Sequence, residues 1–142
     1  MTIATILKAK GSQVVTLPRS ASVAAAVALL AERRIGAMPV VEGEEVVGVF
    51  SERDVIYCLA SQGAAALDKT VGEVMTAPAR TVSPQEPVLG ALSLMTRRRI
   101  RHLPVVDGDR LVGFVSIGDL VKHRMDRIEE EAEAMRSYIQ QA

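Results

Sequence analysis

The chain has no tryptophan and only two phenylalanines and two tyrosines among its 142 residues, so its interior must be assembled from Val, Leu, Ile, Ala and Met. Cysteine occurs once, at Cys58, which excludes an internal disulfide and a cysteine-rich zinc site. The apolar neighbours Ile56, Tyr57, Leu59 and Ala60 predict a buried, inert thiol there. Two histidines and one cysteine do not make a metal site, and none is expected. Neither sign of charge prevails: 17 basic residues balance 17 acidic ones. The protein therefore offers no net field to attract nucleic acid or a membrane surface. No apolar run approaches the ~20 residues that span a bilayer, and the N-terminus lacks a charged-then-apolar leader, so a cytoplasmic location is expected. A Walker-type glycine loop, Gly-x-Gly-x-x-Gly and His-Glu-x-x-His are missing too, and no Ser/His/Asp set is evident. An enzyme is not expected, and a small nucleotide-acting enzyme is the weakest of the functional readings.

What is present is a repeat. The composition is 49% hydrophobic, ample for a core. Shifted by 65 residues, the sequence lies on itself. Ile35-Gly36-Ala37-Met38-Pro39-Val40-Val41 falls on Ile100-Arg101-His102-Leu103-Pro104-Val105-Val106, and Val47–Asp54 falls on Val112–Asp119. Thr16, Val23, Ala26 and Leu29 fall on Thr81, Val88, Ala91 and Leu94. In each copy a short apolar stretch precedes a helix marked by Val23, Ala26, Val27 and Leu30, or by Val88, Ala91, Leu92 and Met95. Pro87 suits the first helical turn. Two strand-like runs follow, joined by Glu42-Gly43-Glu44-Glu45 or Asp107-Gly108-Asp109-Arg110, which is a hairpin signal. A second helix then opens near Asp54 or Asp119. The predicted fold is α/β (α+β), a β-α-β-β-α unit twice, with the copies packed about a pseudo-two-fold axis. The predicted boundaries are 1–60 for the first copy, 61–70 for a linker and 71–142 for the second. Arg33-Arg34 and Arg98-Arg99 end equivalent helices, where cations suit the macrodipole; this repetition argues for a structural role over a nucleic-acid patch.

Each second helix is preceded by Ser-x-x-Asp, as Ser51-Glu52-Arg53-Asp54 and Ser116-Ile117-Gly118-Asp119. An aspartate there can accept hydrogen bonds from both hydroxyls of a ribose, and the serine with the free N–H groups of the helix start can meet a phosphate. The same spacing is close to a capping box, which needs no ligand. These residues, with Val74-Met75-Thr76, Met38-Pro39-Val40-Val41 and Leu103-Pro104-Val105-Val106, resemble the CBS domain, named after cystathionine β-synthase, over nearly the whole chain. The tandem arrangement resembles a Bateman module. The resemblance implies a sheet-and-helix sandwich for each copy, an adenine ligand such as AMP, ATP, NAD(H) or S-adenosylmethionine in the cleft between copies, homodimers, and a regulatory role. It implies ribose at Asp54 and Asp119 and phosphate near Ser51 and Ser116. Arg101 and His102 stand where a basic residue would contact phosphate, with Gly36 and Ala37 at the equivalent places in the first copy, and Arg53 is a further phosphate candidate. Met38, Pro39, Leu103, Pro104, Thr16 and Thr81 complete the candidate lining.

From Asp119 to about Ile139 the chain reads as one long helix. Val121, Met125, Ile128, Ala132, Met135 and Ile139 are spaced 4, 3, 4, 3, 4, a heptad-like seam. It can pack on its own module or on a second subunit, and the resemblance favours the homodimer. The leading reading is a nucleotide sensor acting on an unidentified protein partner. The alternative is a ligand-free dimeric scaffold.

Overall fold

The computed structural model of the protein describes residues 1–11 and 13–141. Helix α1 (Ile3–Lys10) leads to strand β1 (Leu17–Pro18), helix α2 (Val23–Arg33), strands β2 (Ala37–Glu42) and β3 (Glu45–Ser51), and helix α3 (Glu52–Gln62). A 3-10 turn (Gly63–Asp68) and the short helix α4 (Val71–Val74) carry the chain to helix α5 (Val88–Arg98), strands β4 (His102–Asp107) and β5 (Arg110–Ser116), and helix α6 (Ile117–Gln141). The 65-residue offset survives in the strand pairing. Ala37 pairs with Ser51 as His102 pairs with Ser116, and both hairpins carry an irregularity at the same place, Val40/Val41 and Val105/Val106. The parallel pair Leu17–Val40 has its counterpart in a single bridge, Val82–Val105. Ser22 caps α2 by accepting from the Ala25 N–H at 3.0 Å. Pro87 stands one residue ahead of α5, at its cap. Arg34 and Arg99 end α2 and α5 in the left-handed conformation, at φ 53° and 55°. That repetition gives the arginine pairs a structural setting at helix ends.

Two cores result, and the chain crosses between them. The first contains Leu17, Val23, Ala26, Leu30, Met38, Val40, Phe50, Cys58, Ala66 and Val71. Phe50 is fully buried, and burying such a side chain contributes about 1.5–3 kcal/mol. Cys58 is buried and free as expected, but by its place on the inward face of α3, one turn after Asp54, since Ile56, Tyr57 and Leu59 are exposed. The second core contains Val82, Val88, Ala91, Met95, Leu103, Val105, Val115 and Leu120, together with Ile3 and Ile6 from α1. The packing therefore does not follow the order of the chain. Helix α1 belongs to the second core, while Ala66 of the connector and Val71 of α4 belong to the first. The reason is burial: Ile3, Ala66 and Val71 are fully enclosed, so these connectors act as structural elements of the opposite or preceding half. Gly48 permits one crossing, since a Cβ there would lie 2.8 Å from the Thr76 carbonyl and 2.6 Å from the Met75 sulfur.

Candidate functional site

The exchange of connectors leaves a cleft of about 530 Å³ between the halves. From the first half, Gly36, Val49, Ser51, Glu52, Arg53, Ile56 and Tyr57 line it; Thr76, Pro78, Ala79 and Arg80 come from the connector, and Ile100, Arg101 and His102 from the second half. Thr76 is stitched to β3 by two backbone hydrogen bonds with Val49, at 2.9 and 3.0 Å, which fixes the connector along the cleft wall. Three arginines, Arg53, Arg80 and Arg101, line the space against one acidic residue, Glu52, so its charge balance suits an anion. Arg53 also joins the halves, donating from its guanidinium to the Arg99 carbonyl at 3.2 Å, where α5 ends. His102 stacks on Phe114 with ring centroids 5.6 Å apart. Burial pushes the His102 imidazole below its ordinary value; Lys10 and Arg101 add to this, and Glu52 and Asp119 oppose it.

The two aspartates are held differently. Asp54, 9% exposed, is not among the residues lining the cleft. It lies behind Ser51 and Thr76, which do line it. Its Oδ2 accepts from the Ser51 N–H at 2.8 Å and from the Ser51 hydroxyl at 3.1 Å, and its Oδ1 accepts from the Thr76 hydroxyl at 2.9 Å. Ser51 and Asp54 form a capping box for α3. Asp119 and Ser116 cap α6 in the same way: the Ser116 N–H donates to Asp119 Oδ2 at 2.8 Å and the Asp119 N–H donates to the Ser116 hydroxyl at 3.1 Å. Here the third partner is a cation, the Lys10 ammonium, 2.6 Å from Oδ2. Partial burial pushes the Asp119 carboxyl up, but hydrogen bonds from Lys10 and Ser116 outweigh it, and its pKa falls below the ordinary carboxylate value.

Of the residues singled out in the sequence, Gly36, Ser51, Arg53, Arg101 and His102 come together at the cleft. Asp54, Ser116 and Asp119 are not among the residues that line it; each takes part in a helix cap, as does Ser51, which does line it. Ala37, Met38, Pro39, Leu103 and Pro104 are buried, so they shape the floor of the two halves and do not line the opening. Thr16 and Thr81 are exposed and lie outside the lining. The two halves contribute unlike parts to one cleft: Ser51 and Arg53 from the first, Arg101 and His102 from the second. Sequence reading passed over Thr76, Arg80, Glu52 and Tyr57. Thr76 belongs to Val74-Met75-Thr76 but carries no chemical signal of its own, and Arg80 stands alone in a proline-containing connector. Among the described residues no group of three His, Cys, Asp or Glu side chains could hold a metal ion. No helix of the described residues is long and apolar enough to cross a membrane.

Comparison with known proteins agrees with this architecture. The model of the CBS domain matches residues 10–61 and again residues 71–126. The chain is 34% identical to the mitochondrial CBS domain-containing protein CBSX3 of Arabidopsis thaliana, over 98% of this chain and 72% of the relative. Among solved structures, it superposes with TM-score 0.84 and 36% identity on the CBS-domain containing protein ATU1752 from Agrobacterium tumefaciens, covering 87% of this chain and 99% of that one. The CBS domain protein PAE2072 from Pyrobaculum aerophilum, complexed with AMP, matches with TM-score 0.74 and 30% identity over 84% of this chain and 89% of that one. The CBS domain pair of protein MJ0100, in complex with 5'-methylthioadenosine and S-adenosyl-L-methionine, matches with TM-score 0.79 and 26% identity over 89% and 98%. Two matched copies, one sheet register repeated at a 65-residue offset and a shared cleft place the chain in the CBS domain family, as a tandem pair whose role is regulatory and not catalytic.

Proposed function

We propose that the protein senses adenine nucleotides by binding them in the cleft between the two CBS repeats. The observation that carries this reading is the convergence of Arg53, Arg80 and Arg101, with His102, on a cleft of about 530 Å³ that also has apolar walls at Val49, Ile56 and Ile100. A phosphate bears two or three oxygens that guanidinium groups can grip in pairs, and an adenine ring needs an apolar wall. The structures with AMP and with S-adenosyl-L-methionine support an adenine ligand for the fold. The cationic rim of this cleft favours AMP, ATP or NAD(H) over the sulfonium of S-adenosylmethionine, since like charges repel. Ribose reaches Asp54 by displacing the Thr76 hydroxyl, a neutral group, from its carboxylate.

Titration calorimetry with AMP, ATP, NAD⁺ and S-adenosylmethionine tests the reading. Saturable binding of a phosphate-bearing ligand is expected. It should weaken about tenfold to a hundredfold in Arg101→Ala, the loss of one hydrogen bond to a charged group worth roughly 1.5–3 kcal/mol. Absence of binding by any of the four ligands refutes it.

A second copy of the chain is the proposed partner. Ile56 on α3 is 63% exposed and its repeat equivalent Val121 on α6 is 42% exposed. Met125, Ile128, Met135 and Ile139 continue that apolar line along α6. Equivalent helices of both repeats thus leave apolar faces that two copies can bury against each other. The ligand-free scaffold draws support from a specific observation: both oxygens of Asp54 are already occupied by the chain itself. On that reading Arg101→Ala leaves partner binding intact and no nucleotide binds.

A further inference from the structure

We infer that Lys10 closes the second, Asp119-based half of the repeat to nucleotide, so that the protein takes one nucleotide per chain; this rests on the nucleotide-binding reading above. The repeat offset places Phe114 on Val49 and Asp119 on Asp54. At the first pair, one residue, Thr76, holds both positions: its N–H donates to the Val49 carbonyl at 2.9 Å and its hydroxyl donates to Asp54 Oδ1 at 2.9 Å. At the second pair, one residue again holds both. The Lys10 ammonium donates to the Phe114 carbonyl at 2.8 Å and to Asp119 Oδ2 at 2.6 Å. The residue that the offset sets opposite Thr76 is Gly11, which has no side chain to do this. Lys10, the last residue of α1, supplies the contact instead.

The two replacements are unequal for a ligand. A ribose that reaches Asp54 exchanges one neutral hydroxyl donor for another. A ribose that reaches Asp119 must exchange an ammonium for a hydroxyl, giving up a charge-assisted hydrogen bond for a neutral one about half as strong. Lys10 is anchored besides by α1, whose Ile3 and Ile6 are sunk in the second core, so its backbone does not swing away with the side chain. The Asp119 carboxylate and the Phe114 carbonyl, the repeat equivalents of the groups that Thr76 holds, are thereby taken up by the protein's own cation.

The stoichiometry of binding tests this. The intact chain, Lys10→Ala, Lys10→Gln and Lys10→Ala/Asp119→Asn are titrated with AMP, ATP and NAD⁺ in turn, and thermal unfolding checks that each variant is folded. The intact chain should bind one nucleotide. Both single variants should bind two, and the double variant should return to one because the ribose acceptor is lost. The glutamine variant guards against a folding failure of the alanine variant, because it keeps a donor of similar reach without the charge. One nucleotide bound by the intact chain and still one by folded Lys10→Ala and Lys10→Gln overturns the inference while leaving the first cleft standing. Two nucleotides bound by the intact chain overturn it as well. No binding to the intact chain overturns the nucleotide reading itself, and the inference with it.

Discussion

Asp54 and Asp119 occupy the same place in the two repeats, yet removing them should not cost the same. Asp54→Ala deletes a capping box, worth about 1 kcal/mol within a range of roughly 0.5–2. It also deletes the acceptor of the Thr76 hydroxyl, a hydrogen bond to a buried charged group worth about 1.5–3 kcal/mol. Because Ser51 and Thr76 border the open cleft, water recovers part of this, and a net loss of about 2–4 kcal/mol follows. Asp119→Ala deletes an equivalent box, but its third partner is Lys10 in a partly exposed ion pair, 38% and 28% exposed on the two sides. Such pairs contribute roughly 0.2–1 kcal/mol, so the total is about 1–2 kcal/mol. Urea unfolding followed by circular dichroism, with the slope checked for constancy, measures both losses. In thermal unfolding of the same variants the midpoint temperatures should separate by about 4–8 °C, taking ~4 °C per kcal/mol for a chain of this size. Equal losses within about 0.5 kcal/mol, or a larger loss for Asp119→Ala, would refute the assignment of the Thr76 hydrogen bond as the distinguishing contact.

Gly48→Ala should destabilise by about 1–3 kcal/mol, because the new Cβ meets the Thr76 backbone carbonyl at 2.8 Å and the connector must shift; chemical denaturation measures it. Acidification should also weaken the fold through His102. Its folded pKa lies below the ordinary 6.5, so as pH falls the unfolded chain takes up the proton first. Stability is whole above 6.5, declines as pH drops between 6.5 and the lower folded value, and then levels. His102→Asn should remove that segment of the stability–pH curve, and an unchanged curve would discount burial as its cause. Finally, the proposed dimer should be seen in sedimentation equilibrium, and Met125→Glu/Ile128→Glu should leave a monomer, since both side chains are exposed on α6 and neither contributes to a core; a monomer before substitution would refute the pairing.

The repeated parts of this fold were written in the sequence because they depend on local patterning. The hairpins, the stripes of α2 and α5 and the long α6 all follow from residues within a few positions of one another, and the structure carries the 65-residue offset into the pairing of Ala37 with Ser51 and His102 with Ser116. Five residues of the cleft were legible for the same reason: Gly36, Ser51, Arg53, Arg101 and His102 stand at strand ends and a helix start fixed by those patterns. The exchange of connectors was not legible. Ile3 and Ile6 join a core whose other members begin at Val82, and an apolar residue carries no mark of which half it will enter.

That exchange is also what separates two identical motifs. Ser-x-x-Asp predicts a helix cap in both repeats and the structure has one in both. What each carboxylate can do next is decided by a residue far away in the chain, 22 positions from Asp54 and 109 from Asp119. Thr76, in a cleft wall that three arginines also line, presents a hydroxyl; Lys10 presents an ammonium. Duplication therefore supplied two equal scaffolds, and the chemistry diverged at the connectors, where no pattern constrains the side chain. A substitution at position 10 or 76 should accordingly alter ligand stoichiometry or affinity more than most substitutions within the repeated strands, whose side chains are already committed to the cores.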